Sequence, residues 1–202
     1  MAHRQWLRCV LLYTGAGSLS ALLIGALLGE VGRWVGGPRI GATVFYFVGL
    51  SALLLAAREW DCIRFHLPER KRQTERYWAH EFGFLGASAM WGLHIGFGFA
   101  TRITYGGFWI LVLIALAVGD PGYGALLMLV YWLGRASPVW IAPRLTKSAS
   151  DAAQLPSAVL VPQSLYQRIV GVSLLWSAAV AMALAMQSQF QEGCNLLSGF
   201  RW

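Results

Sequence analysis

Residues 9–29, CVLLYTGAGSLSALLIGALLG, form an uncharged run closed by Arg8 on one side and Glu30 on the other. A charged side chain at the middle of a bilayer costs about 2.5–3.5 kcal/mol on the insertion scale, so a run of this length between charges marks a helix that crosses lipid. The same criterion gives further spans at 40–57, 82–101, 103–119, 122–143 and 169–186. The fourth closes at Asp120-Pro121-Gly122, whose proline and glycine read as a tight turn. The fifth is interrupted by Arg135, and Pro138 is expected to kink it near its end. Backbone amides in hydrocarbon have to be satisfied within the chain, and no ten-residue alternation of barrel strands occurs. The expected fold is therefore all-α: a polytopic integral membrane helical bundle of about six transmembrane helices, a single domain over residues 1–202.

Composition supports this reading. Of 202 residues, 57% are hydrophobic and 12% charged, with a mean hydropathy of +0.54. Soluble domains carry about 25% charged residues, so this chain lacks the polar side chains needed to coat a surface in water. A collagen, a disordered tail and a disulfide scaffold are excluded by the same figures. Apart from Arg135, the charges behind the net +7 reside in connections and ends. No basic and aromatic stripe suited to nucleic acid accompanies it, so no nucleic-acid partner is expected.

The basic residues set the expected orientation. The loop 58–81 carries Arg58, Arg64, Arg70, Lys71, Arg72 and Arg76, and the amino terminus carries Arg4 and Arg8, so both should be cytoplasmic. Six crossings return the carboxy terminus to the same face and turn 144–167, with Pro156 and Pro162, outward as a docking surface. A bacterial inner membrane suits this pattern. Arg70, Lys71, Arg72 and Arg76 form a solvated topogenic run that can also hold lipid headgroups or a partner electrostatically. The first span has no small-residue cleavage motif and reads as a retained helix. Tryptophans such as Trp6, Trp34, Trp60, Trp78, Trp140 and Trp202 fall near span ends, as interfacial anchors do.

Cys9, Cys62 and Cys194 are the only thiols, with no CxxC and no Cys/His spacing for zinc, so they read as unpaired small residues. A resemblance emerges from other residues. Gly17, the stretch from Ala21 to Gly29, Gly36-Gly37-Pro38 and Gly49-Leu50 resemble the second and third helices of the DsbD/CcdA-type cytochrome c biogenesis transmembrane family. Met90 to Phe97 lies where that family carries a Gly-Trp-Thr-Pro-Cys-Ile-Gly-Pro-like sequence, and Gly124 to Gly134, followed by Pro138, resembles its sixth helix. The similarity covers roughly residues 10 to 143. It implies the scaffold of those electron carriers without their chemistry. The helix bearing the first membrane cysteine has no counterpart, and His94 occupies the position of the second. Exchange requires two sulfurs that can approach to a bond of about 2 Å.

Several positions are candidates for function. His94, flanked by Trp91, Gly92 and Gly96, lies mid-span; its imidazole suits either ligation of haem or a chlorophyll-type pigment, with Trp91 beside it, or an interhelical hydrogen bond. Arg135 either snorkels to an interface or pairs with a carboxylate of a partner subunit or cofactor. Gly25-xxx-Gly29 and Gly92-xxx-Gly96 are close-packing signals, and repeat ancestry implies that Gly25 and Gly92 lie on touching helices. No nucleophile with a base and no carboxylate pair appears, so no catalytic residue is assigned.

Three functions fit. The first is a non-catalytic accessory subunit packed with other membrane proteins in a larger redox or photosynthetic complex. The second is a thiol-disulfide relay or maturation factor acting with a thiol-bearing partner. The third is a small-solute or metal transporter using the cavity of an inverted-repeat bundle.

Overall fold

The computed structural model describes residues 3–36, 42–67, 77–98, 106–145 and 163–198. They form an all-α bundle: α1 His3–Gly36, α2 Ala42–Glu59, a single turn α3 Trp78–Glu81, α4 Gly83–Gly96, α5 Gly107–Val118, α6 Pro121–Leu145 and α7 Gln163–Ser198. Among the described residues, three helices are long and apolar enough to cross a membrane: Arg4–Val35, Pro121–Ile141 and Leu165–Phe190. The basic run Arg70, Lys71, Arg72 and Arg76 lies outside the described residues, as does most of the expected outer segment 144–167.

Helix α1 continues past the expected stop at Gly29. Arg33 and Trp34 both reach back one turn and donate to Oε1 of Glu30, at 2.6 and 2.8 Å, so the carboxylate is satisfied on the helix surface instead of ending the helix. At the Asp120 turn, Gly119 adopts the left-handed conformation with φ +60 and its N–H returns to Ala115, which terminates α5. Pro121 then opens α6, and Asp120 caps it by accepting the Tyr123 N–H at 2.6 Å. Pro138 and Pro143 both lie inside α6 without ending it.

The contacts fix helix directions. Along α1 and α6, Gly29 meets Asp120, Gly25 meets Gly124 and Gly17 meets Trp132, so the two run antiparallel over most of their length. Helix α4 runs parallel to α1: Cys9 touches the Phe84 carbonyl, Gly92 lies on Tyr13 and Gly96 on Gly17. Helix α5 then follows the same direction farther along α1, with Phe108 against Gly98, Leu116 against Gly32 and Gly119 beside Arg33. At 1.5 Å per residue α4 is about 21 Å long and α5 about 18 Å, each short of a hydrocarbon core of about 30 Å. The sequence reading treats 82–101 and 103–119 as successive crossings that reverse direction; in the fold the helices of the two segments lie in tandem and point the same way. Helix α7 is antiparallel to α2, through Trp60 on Gly171 and Met182 on Gly49, and its early residue Val170 meets Gly107 at the start of α5.

Helix α5 is where the two packed groups join. Ala21, Met128 and Trp132 of α1 and α6 close on Phe108 and Val112, while Ala52, Leu55, Leu174 and Ala178 of α2 and α7 close on Ile110. Alanine dominates these cores because helices in lipid gain nothing from merely hiding apolar surface and associate by close approach. The outward faces carry Leu23, Leu27, Val130, Val172 and Phe190, which suit acyl chains.

Candidate functional site

All four predicted packing glycines are at helix contacts. A Cβ on Gly25 would fall on the Gly124 carbonyl, and one on Gly29 on the Asp120 carbonyl. A Cβ on Gly92 would fall on the Tyr13 carbonyl, and one on Gly96 on the Gly17 carbonyl. The helices of Gly25 and Gly92, α1 and α4, do touch, through Gly92 and Gly96; Gly25 itself faces α6, because α4 accompanies only the first half of α1. Ser20 adds a polar tie, its Oγ donating to the Leu93 carbonyl at 2.9 Å. Sequence reading passes over Thr14. Its carbonyl accepts from Nε1 of the fully buried Trp132 and its Oγ1 from Nε1 of Trp140, both at 3.0 Å.

Arg135 opens onto a cavity of about 570 Å³ between α5, α6 and α7. The guanidinium donates from Nη1 to the Tyr131 hydroxyl at 3.3 Å, and the Tyr131 ring is held by Phe108 with centroids 5.4 Å apart. Across the cavity, the Ser173 and Ser177 hydroxyls donate to carbonyls of their own helix, at 2.9 Å each, which leaves oxygen lone pairs available. The remaining wall is mainly apolar, and among the described residues none that lines it is acidic.

Glu59 is the buried charge that sequence reading missed, since beside Arg58 it looks like the start of a solvated loop. Its side chain is 2% exposed. Oε1 accepts the Gly106 N–H at 2.8 Å and pairs with Arg58 Nη1 at 3.0 Å. Arg58 in turn donates from Nε to the Phe65 carbonyl and lies over the Phe65 ring. The carboxylate thereby fastens the end of α2 to the start of α5. An acid between Arg58 and a loop that also holds Asp61 and Arg64 carries no periodic signal that would reveal this contact.

His94 is half-buried and meets Trp78 edge to face, centroids 5.5 Å apart, while Trp91 is half-buried one turn earlier. No group of three or more His, Cys, Asp or Glu suited to a metal occurs among the described residues. Cys9 and Cys62 are free thiols; Cys9 is against the Phe84 carbonyl at 3.9 Å and Cys62 against the Trp60 carbonyl at 3.8 Å.

Fold and site together define a helical integral membrane protein whose two packed groups of helices are joined through α5. Among known proteins, it is similar to the methylamine utilization protein MauF of Paracoccus denitrificans, with 26% identity over 134 residues, 66% of this chain and 48% of that protein. The chain thus spans about half the length of the curated relative it matches. No protein-family model and no solved structure matches it.

Proposed function

We propose that this chain is a non-catalytic accessory protein of the membrane that packs with other subunits and retains a DsbD/CcdA-like scaffold without thiol exchange. The separation of the described thiols carries this reading: Cys9 sits in the α1–α4 contact, whereas Cys62 follows α2 against the Trp60 carbonyl, and neither has a sulfur partner. The backbone contacts at Gly25, Gly29, Gly92 and Gly96 support a scaffold kept for packing. Between the two kinds of host complex, similarity to a methylamine utilization protein favours one serving amine utilization over a photosynthetic one.

Gentle purification from the native membrane tests this. Stoichiometric co-purification with a larger complex is expected, and a monodisperse lone chain overturns it. Substituting Cys9, Cys62 and Cys194 together by Ser should leave function intact; loss of function would restore the relay reading.

A second reading, a small-solute transporter, draws support from the tandem α4 and α5, since interrupted helices frame substrate sites in many transporters. Solute uptake by proteoliposomes that is abolished by blocking the Arg135 cavity distinguishes it from the first.

A further inference from the structure

Three weak points of helix geometry lie at one level of the bundle. In α1 the stretch 14–18, Thr-Gly-Ala-Gly-Ser, sets two glycines in mid-helix, and a Cβ at Gly15 would meet nothing within 4 Å. In α6, Pro138 has no N–H, so the Gly134 carbonyl four residues earlier lacks its backbone donor. The Ser137 hydroxyl donates to that carbonyl instead, at 2.8 Å. The third point is the end of α4, where Gly98 is left-handed with φ +72 and its N–H returns to the Ile95 carbonyl at 3.0 Å. Prolines and glycine–serine stretches are the places where helices bend sharply.

Contacts between the helices set these points side by side. A Cβ at Gly96 would fall on the Gly17 carbonyl, and one at Gly17 on the Trp132 ring. Trp132 and Trp140 stand on either side of Pro138, yet both indoles donate to Thr14, one to its carbonyl and the other to its Oγ1, at 3.0 Å each. The proline of α6 is thereby pinned to the glycine-rich stretch of α1. To one side of this level, the first half of α1 holds α4 through Cys9 at the Phe84 carbonyl and Gly92 on Tyr13. To the other, the second half of α1 is locked to the start of α6 at Gly25 and Gly29, and to α5 at Gly32. Each side is close-packed within itself, and the bendable backbone lies between them.

We propose that the three points form one transverse hinge, about which the first half of α1, α4 and the last two turns of α6 tilt as a unit against the rest of the bundle. Thr14 is the pivot. Ser137 keeps the Gly134 carbonyl satisfied as α6 bends, because a hydroxyl can turn with the carbonyl it serves. Gly134 also lines the cavity between α5, α6 and α7, so bending at this level changes the width of that cavity. The motion is a property of the chain and does not rest on the accessory reading. A bend of about 20° moves the tip of a ten-residue arm, about 15 Å long, by about 5 Å.

The test measures distances between pairs of nitroxide labels by pulsed electron resonance, on the full chain in phosphatidylcholine nanodiscs. Cys9, Cys62 and Cys194 are replaced by Ser, and labels are attached at exposed positions. Two pairs cross the hinge, Phe84→Cys with Leu27→Cys and Ile141→Cys with Tyr123→Cys. A third pair, Phe84→Cys with Ile141→Cys, lies within the moving end. The crossing pairs should give distance distributions broader than the third by about 5 Å, or split into two peaks. Gly15→Ala with Pro138→Ala removes two of the weak points and should narrow the crossing pairs to the width of the third. Gly15→Ala alone, which meets no neighbour, should narrow the Phe84 and Leu27 pair. Crossing pairs as narrow as the third in the otherwise unaltered chain, or equally broad after the stiffening substitutions, overturn the hinge. A third pair as broad as the crossing ones overturns the tilt of that end as a unit.

Discussion

Gly25 and Gly124 are locked backbone to backbone: a Cβ added to either would fall on the carbonyl of the other. Each therefore has no room for even a methyl group, whereas Gly15 and Gly134, on the same two helices, have nothing within 4 Å. Gly25→Ala and Gly124→Ala should each destabilise the protein by about 1–3 kcal/mol through overpacking. Gly15→Ala should be neutral or stabilising by up to about 1 kcal/mol, the helix propensity difference. Thermal unfolding in a mild detergent, with all three variants compared, checks the contrast. Equal effects at the three positions would remove the α1–α6 contact as the cause.

Glu59 should be a structural carboxylate. Glu59→Ala deprives the Gly106 N–H of its acceptor and Arg58 of its partner, for an expected loss of about 2–3 kcal/mol. Glu59→Gln keeps an acceptor for Gly106 and should lose distinctly less. Hydrogen exchange at the start of α5, faster in Glu59→Ala than in Glu59→Gln, identifies the Gly106 bond as the cause.

The tandem arrangement of α4 and α5 predicts that they cross the bilayer once between them. Five crossings follow, with the carboxy terminus opposite the amino terminus instead of beside it. The segment following α6, with Arg144 and Lys147, then becomes cytoplasmic, in better accord with the positive-inside rule than the outward placement expected from six spans. Reporter fusions at the two ends should give opposite sidedness. The same sidedness at both ends would restore six crossings.

His94 tests whether a chromophore is held. Ligation of haem or a chlorophyll-type pigment requires a visible absorption band that Arg135 variants keep and His94→Ala loses. The edge contact with Trp78 accounts for the observed imidazole by itself, so the expected result is an unchanged visible spectrum. That variant should then show only a stability loss of about 0.5–1.5 kcal/mol, measured by thermal unfolding of protein from the native membrane.

How far the fold is legible varies along the chain. The uncharged run after Arg8 and the apolar stretches 122–143 and 169–186 announce α1, α6 and α7, because the transfer energy into lipid adds up residue by residue and needs no knowledge of neighbours. The glycine pairs are legible as close-approach positions for the same local reason. Arg102, by contrast, separates two apolar runs identically whether the chain turns back or continues, so hydropathy cannot distinguish a hairpin from tandem half-helices.

By itself the sequence determined that this chain is helical, lives in lipid and has small-residue faces where helices come close. Only the tertiary structure decided that Gly25 faces α6, that Glu59 fastens α2 to α5, and that Arg135 shares a cavity with Ser173 and Ser177. The physical reason is the range of the interactions. Solvation is a property of each residue, while packing, buried ion pairs and cavities depend on residues far apart in the chain that meet only once the helices have taken their directions.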